Sequence, residues 1–174
     1  MRFLENDTIK LRALEPEDLE ALYKWENDSS LWQEGSTLAP YSRFSLKEYI
    51  SESRLDIFHS RQLRLMIVLQ ATGESIGTVD LYDFDPMNMR AGIGILIDNR
   101  FRRQGFAKQT LLLMKKYAFQ FLSLKQLYAF ICTKNSPSIA LFREVGYEDA
   151  GLLRSWIKLG EDWENVYFMQ LINH

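Results

Sequence analysis

The sequence predicts an α+β fold, a mixed and twisted central sheet with helices packed on both of its sides. Three observations carry this expectation. Short apolar runs with the two-residue period of strands recur along the chain, beginning with Ile9, Leu11 and Ala13. Stretches with helical spacing lie between them, the longest running from Ala107 to about Phe121. The tail reads as two strands, Gly151 to Leu159 and Glu164 to Ile172, folded back about Gly160–Trp163.

Each element follows from its residues. The first strand alternates Ile9, Leu11 and Ala13 with Lys10 and Arg12. Pro16 opens a helix carrying Leu19, Leu22 and Tyr23 on one face, with Glu17, Asp18 and Glu20 in its acidic first turn. Leu31 to about Arg43 contains Gly35 and Pro40, has no clean period and reads as a loop. Leu46 to about Phe58 reads as one helix. Leu63–Leu69 and Ser75–Tyr82 read as strands joined by a Thr72–Gly73 hairpin turn. Asp83 to Met89 is the turn before a central strand that holds Ile93–Ile97. Gln126–Thr133 is a further strand, followed by a short helix with Pro137 in its first turn and Gly146 just past its end. No repeat or linker interrupts the series, so residues 1–174 are expected to form a single domain.

Composition narrows the function classes. At 47% hydrophobic and 25% charged residues, the chain has the make-up of a soluble globular protein. A formal charge of −2 gives no general attraction to nucleic acid or to an anionic membrane, and neither is expected as a partner. Cys132 is the only cysteine, so no internal disulfide forms and a reducing, cytoplasmic setting is expected. His59 and His174 are too few and too scattered for a metal site, and no metal is expected. Aliphatic runs fall far short of the ~20 residues that span a bilayer.

The most informative stretch follows the central strand. Arg102-Arg103-Gln104-Gly105-Phe106-Ala107-Lys108 is a basic, glycine-containing loop that runs into a helix. The first N–H groups of a helix lack internal partners and carry the positive end of its dipole. Gly105 lets a bulky phosphate approach the backbone, Ala107 keeps the helix start narrow, and three cations flank it. We read this as a pyrophosphate cradle. A P-loop is excluded by the missing G-x-x-x-x-G-K-S/T, and a nicotinamide site by the missing G-x-G-x-x-G with its downstream acid.

A second segment, Asn135 to Tyr147, gives the cradle a context. Together the two resemble the GNAT family of acyl-CoA-dependent N-acyltransferases. Arg102, Gly105 and Ala107 match the family's loop, and Asn135, Ser138, Leu141, Gly146 and Tyr147 match its next element. The opening TIKLRALEPEDLEALYKWEND resembles the branch that holds ribosomal-protein, spermidine/diamine and aminoglycoside N-acetyltransferases, so the resemblance covers nearly the whole chain. It implies a GNAT-like, mostly antiparallel sheet and acetyl-CoA as co-substrate. It implies direct transfer of acetyl to a primary amine, with homo-oligomerisation left open.

The resemblance also implies a site. Main-chain groups of Ile95, Leu96 and Ile97 would meet the pantetheine arm and thioester, residues 102–108 the pyrophosphate, and Asn135 the pantetheine or the start of its own helix. Two departures stand out. Many relatives place a tyrosine where this chain has Phe142, which has no proton to give and is expected to wall the sulfur end. Polyamine enzymes often carry a glutamate where this chain has Gly92. Ser138 is then the candidate donor to the thiolate, and Asp80 the candidate for removing the amine's proton. Trp32, Glu34, Asp80, Tyr82 and Asp83 form the candidate rim for a cationic amine, through charge and cation–π contact. A polyamine or a protein amine is the expected acceptor. An aminoglycoside, or a catalytically weak acyl-CoA-binding module, remains as the alternative.

Overall fold

The computed structural model describes residues 2–32 and 39–174. Among these, seven strands form one sheet: β1 (Ile9–Arg12), β2 (Leu63–Leu69), β3 (Ser75–Asp85), β4 (Arg90–Ile97), β5 (Gln126–Cys132), β6 (Glu148–Leu159) and β7 (Asp162–Ile172). Their order is β1-β2-β3-β4-β5-β7-β6. Every pair is antiparallel except β4–β5, which is parallel. A parallel pair needs a crossover, and the helix α4 (Phe106–Lys116) supplies it. The α+β expectation, with a mostly antiparallel sheet, matches this architecture.

Two cores sandwich the sheet. The larger packs α4 and α5 (Ser136–Val145) on one face, around Val79, Leu81, Ile93, Leu111, Met114, Leu127, Phe142 and Met169. The smaller packs α1 (Leu19–Glu26) and α2 (Arg43–Glu52) on the other, around Leu22, Trp25, Leu46, Ile50, Met66 and Val68. Strand alternation sends neighbouring residues of β2 and β3 to opposite cores, so both faces are apolar.

Several boundaries differ from the sequence reading. The helix expected over Leu46–Phe58 is two, α2 and the single turn α3 (Ile57–Ser60). Ser42 caps the first by accepting from Ser45 N, and Asp56 caps the second by accepting from His59 N. A capping residue inside an apolar period ends one helix and starts another. β3 continues to Asp85, so the turn into β4 is shorter than expected. α4 starts at Phe106, and its tail widens into a π turn over Tyr117–Phe121, where Tyr117 stacks on Phe121. Among the described residues, no helix is long and apolar enough to cross a membrane.

The parallel pair is the feature that positions the site. β4 and β5 pair only at Arg90–Gln126, Ala91–Leu127 and Gly92–Tyr128. β4 then runs on through Ile97 without a β5 partner, while β5 stays paired with β7 as far as Cys132–Val166. The sheet therefore opens at its centre, with main-chain groups of β4 facing the gap.

Candidate active site

The gap leads to the basic loop. Directly after β4 comes Asp98, which is buried although it is an acid. Its carboxylate accepts from Trp25 Nε1 at 3.0 Å, Lys24 Nζ at 3.3 Å and the Arg100 main-chain N–H at 3.0 Å. Burial alone raises this carboxyl, but the donors from Trp25, Arg100 and Lys24 outweigh it and hold it well below the ordinary carboxylate range. Asp98 thus ties α1 to the turn that enters the loop.

That tie is testable. Asp98→Asn is expected to lower stability by about 2 kcal/mol, since charge-assisted bonds to a buried group weaken. The depressed pKa fixes the sign with pH. The contribution is full above the unfolded value of about 3.9 and is lost as pH falls toward the folded value. Urea unfolding at pH 7 and at pH 3 should show the gap between wild type and variant narrowing in acid.

Beyond Asp98 the chain builds an anion nest. Arg103 and Gly105 both adopt positive φ, 61° and 81°. A side chain at Gly105 would meet no atom within 4 Å, so the approach to the α4 N-terminus is open. No side chain caps that terminus and no acid sits in its first turn. The unpaired N–H groups remain available to an anion. Arg102 and Gln104 lean back on the loop, donating to Ile97 O at 3.2 Å and Arg100 O at 3.2 Å. Lys108 bridges to Glu144 of α5 at 2.5 Å. Phe106 packs against the larger core, and Ala107 beside it. An uncapped helix start with a small-residue approach fits a pyrophosphate, and an unpaired strand edge beside it fits a chain of amides such as pantetheine. The residues present therefore fit acetyl-CoA. Ile95 and Leu96, both half-buried, and the buried Ile97 lie along that edge.

Across the gap, Asn135 caps α5 by accepting from Ser138 N at 3.3 Å. Of the two roles open to Asn135 in the sequence, the structure displays this one. Ser138 is half-buried one turn before Phe142 on the same helix face. Phe142 is 3% exposed and packs edge-on against Tyr147 with ring centroids 4.9 Å apart. α5 closes with a bond from Tyr147 N to Phe142 O at 3.0 Å, and Gly146 has φ 107°. This is a Schellman ending, which brings together the residues at these two positions.

The face toward α1 and α2 carries the acidic and aromatic candidates. Register places Asp80 opposite Gly94, Tyr82 opposite Gly92, and Gly92 opposite Tyr128. All five positions lie on one face. The Tyr82 ring lies over Gly92, where a β-carbon would stand 2.3 Å from its Cε2. Over Gly94 there is space, with only Tyr82 Cε1 at 3.9 Å. A hollow with a glycine floor thus opens where β4 and β5 part. Tyr128 meets Tyr82 edge-on at 6.2 Å and continues into Phe130 and Phe168. Burial keeps the Tyr82 and Tyr128 phenols protonated above their ordinary range, and the charge of Asp83 adds to this in both.

Asp80 is not a free carboxylate. Arg64, its cross-strand partner, donates to it from Nε at 2.6 Å and Nη2 at 3.1 Å. The same guanidinium donates to Glu26 at 2.8 Å. Removing a proton from an amine would require Asp80 to give up this two-point pair. Asp83 is exposed, with φ 49°. Trp32 is half-buried and donates from Nε1 to Glu26 O at 2.9 Å, which anchors it to α1. Glu34 lies outside the described residues. Among the described residues no cluster of His, Cys, Asp and Glu could hold a metal ion.

Arg64, Tyr128 and Phe130 were not singled out from the sequence. The Gly92-x-Gly94 pair inside a strand was the available signal, because glycines there mark a close approach to one face.

The family model described as acetyltransferase (GNAT) domain matches residues 8–148. The chain is similar to spermidine N(1)-acetyltransferase of Escherichia coli (strain K12), 26% identical over 170 residues, 96% of this chain and 87% of that one. The fold is that of spermidine N-acetyltransferase from Vibrio cholerae, solved in complex with CoA and spermine. The TM-score is 0.86 over 96% of both chains, at 23% identity. A dodecameric structure of the Vibrio cholerae enzyme aligns with a TM-score of 0.80 at 25% identity, over 96% of this chain and 95% of that one.

Proposed function

The chain belongs to the acetyltransferase (GNAT) domain family and is an acetyl-CoA-dependent N-acetyltransferase; from that premise we propose that its acceptor is a polyamine-like or protein amine, bound in the hollow over Gly94. The observation that carries the acceptor site is the glycine floor at the parting of β4 and β5. It lets a slender amine reach the unpaired edge of β4 from the α1 and α2 side. The spermidine acetyltransferases among its relatives support the polyamine reading, and the dodecameric neighbour supports a homo-oligomer. The whole chain would act as one catalytic domain, in the reducing cytoplasm that a lone Cys132 suits.

Acetyl-CoA brings the acetyl thioester. The N-terminus of α4 and residues 102–108 would hold its pyrophosphate. The β4 edge at Ile95–Ile97 would orient the arm and polarise the carbonyl through a main-chain N–H. Asn135 holds the start of α5 in place, and Phe142 walls the site from within the core. Tyr82 would flank the methylene stem of the amine, with Trp32 nearer the entrance. Asp80, neutralised by Arg64, would orient the amine, and ordered water rather than a free side-chain base would take its proton. Ser138 keeps its hydroxyl close to the start of α5, as one candidate donor to sulfur. Positioning supplies much of the remaining rate.

Release of free thiol from acetyl-CoA, screened against polyamines, aminoglycosides and N-terminal peptides, tests the acceptor class. Turnover with polyamines or peptides supports the proposal. Preference for an aminoglycoside would replace it, and binding of CoA without turnover would point to a binding module. A second measurement addresses charge. Asp83→Asn keeps a residue that tolerates positive φ, and it is expected to raise KM for a cationic amine about threefold while leaving KM for acetyl-CoA unchanged. Equal amine KM values in both proteins would remove Asp83 from the rim.

A further inference from the structure

Among the described residues, the sheet face under α1 and α2 is covered only in part. Their core reaches β2 through Met66 and Val68 and β4 through Leu96, and it holds no residue of β5, β6 or β7. On that second half, register extends the aromatic row that starts at Tyr82 and Tyr128. Phe130 stands opposite Phe168, and Phe168 opposite Gly151. The rings of Tyr128, Phe130 and Phe168 lie 5.2–5.8 Å from one another. Phe130 is 45% exposed although it lies inside a strand. A side chain at Gly151 would meet nothing within 4 Å, so the row is also open on its β6 side. Among the described residues, no arginine or lysine stands over these three rings.

The row is continuous with the hollow over Gly94. Gly94 lies two residues past Gly92 and Phe130 two past Tyr128, so the two face each other across the gap that opens after the Gly92–Tyr128 pair. The two sides of this gap differ in charge. On the β4 side Asp80 stands opposite Gly94, and Arg64 bonds both Asp80 and Glu26. One guanidinium serves two carboxylates, which leaves one negative charge over and suits a single ammonium. On the β5 side the same face continues with Cys132, Val166 and Leu153. The next charged side chain on that face of β7, Glu164, is bridged to Lys134. A second ammonium entering there would exchange water for rings and a carboxylate already paired, whereas an apolar group would gain burial against the rings.

We propose that the acceptor is a primary amine with an aromatic or bulky apolar group close to its nitrogen, and that this group seats on Phe130 and Phe168 when the nitrogen lies over Gly94. The inference rests on the acceptor site proposed above and narrows it. Charge reads the nitrogen and apolar area reads the substituent. A slender polycation satisfies the first and leaves the rings bare. A free arylalkylamine and a peptide beginning with phenylalanine share the required chemistry.

The test compares acceptors that differ in the substituent. With acetyl-CoA as donor, 2-phenylethylamine should exceed n-butylamine about tenfold in kcat/KM, and Phe-Gly-Gly should exceed Ser-Gly-Gly likewise. Phe130→Ala, at an exposed position, should bring both ratios close to one through KM for the aromatic amine, with KM for acetyl-CoA unchanged; Phe130→Leu should recover part of the preference. Whichever aromatic acceptor is turned over faster identifies the source, a small amine or a protein N-terminus. Spermidine and n-butylamine used as well as the aromatic amines would overturn the proposal while upholding the acetyltransferase reading. An aromatic preference that survives Phe130→Ala would overturn the placement. Calorimetry on the CoA-saturated protein needs no turnover. Wild type should bind 2-phenylethylamine about tenfold more tightly than Phe130→Ala does, and equal affinities would overturn the proposal even if no amine were acetylated.

Discussion

Replacing Gly105 with valine should cost the protein most of its affinity for CoA, by about 2 kcal/mol or roughly 30-fold in Kd. The site it would obstruct is the uncapped start of α4, where nothing else lies within 4 Å of a side chain at this position. Part of the effect is backbone strain. Gly105 has φ 81°, and a β-branched residue in the left-handed region is disfavoured by about 1–2 kcal/mol. Gly105→Asn separates the two contributions. Asparagine tolerates this conformation, so Gly105→Asn should unfold near the wild-type temperature. Its amide would still occupy the approach and compete for the helix N–H groups. Calorimetric titration with CoA checks both variants. A folded Gly105→Val protein with wild-type affinity would show that the pyrophosphate binds elsewhere.

A glutamate at position 92 should damage this protein, even though polyamine enzymes often carry one there. The β-carbon of any residue at Gly92 would stand 2.3 Å from Tyr82 Cε2 and 2.4 Å from its Cζ. The ring would have to leave its place against Tyr128, and the aromatic row with it. Overpacking of this kind costs about 2 kcal/mol, or roughly 6 °C in Tm for a chain of this size. Amine turnover should fall with it. Tyr82→Ala in the same chain removes the obstruction and should recover most of the lost melting temperature. A Gly92→Glu protein as stable as wild type would mean that the Tyr82 ring moves freely, and the hollow over Gly94 would need redrawing.

What the sequence made legible was local, and what it hid was pairing. The helix start after the Arg102–Lys108 loop could be read because glycine, cations and apolar helical spacing lie within a few consecutive residues, and the structure leaves the approach to that start open and uncapped. Pro137 and Gly146 likewise bracketed α5 correctly. Asp80 illustrates the opposite case. Its character is set by Arg64, which antiparallel register places beside it and which nothing in the neighbouring sequence announces. The meaning of Gly92 depends equally on a partner, since Tyr82 fills the space that a side chain would take. The opening of the sheet was the least legible feature. β4 and β5 each look like ordinary apolar strands, and only their short register reveals that they diverge. The break between α2 and α3 shows a smaller version of the same limit. Helical spacing continued across Asp56, but its side chain caps a new turn.

The parted strands also constrain how this protein can evolve. A β-sheet gains stability by closing its hydrogen-bond ladder, and sequences that extended the β4–β5 pairing beyond Gly92 and Tyr128 would make a sturdier protein. Each added rung would remove an amide from the edge proposed to receive the cofactor. Selection for thermal robustness and selection for turnover therefore pull on the same few residues in opposite directions. Stabilising substitutions gathered by unfolding temperature alone should cluster away from Ile93–Ile97 and Ala129–Cys132, or else arrive as inactive enzymes.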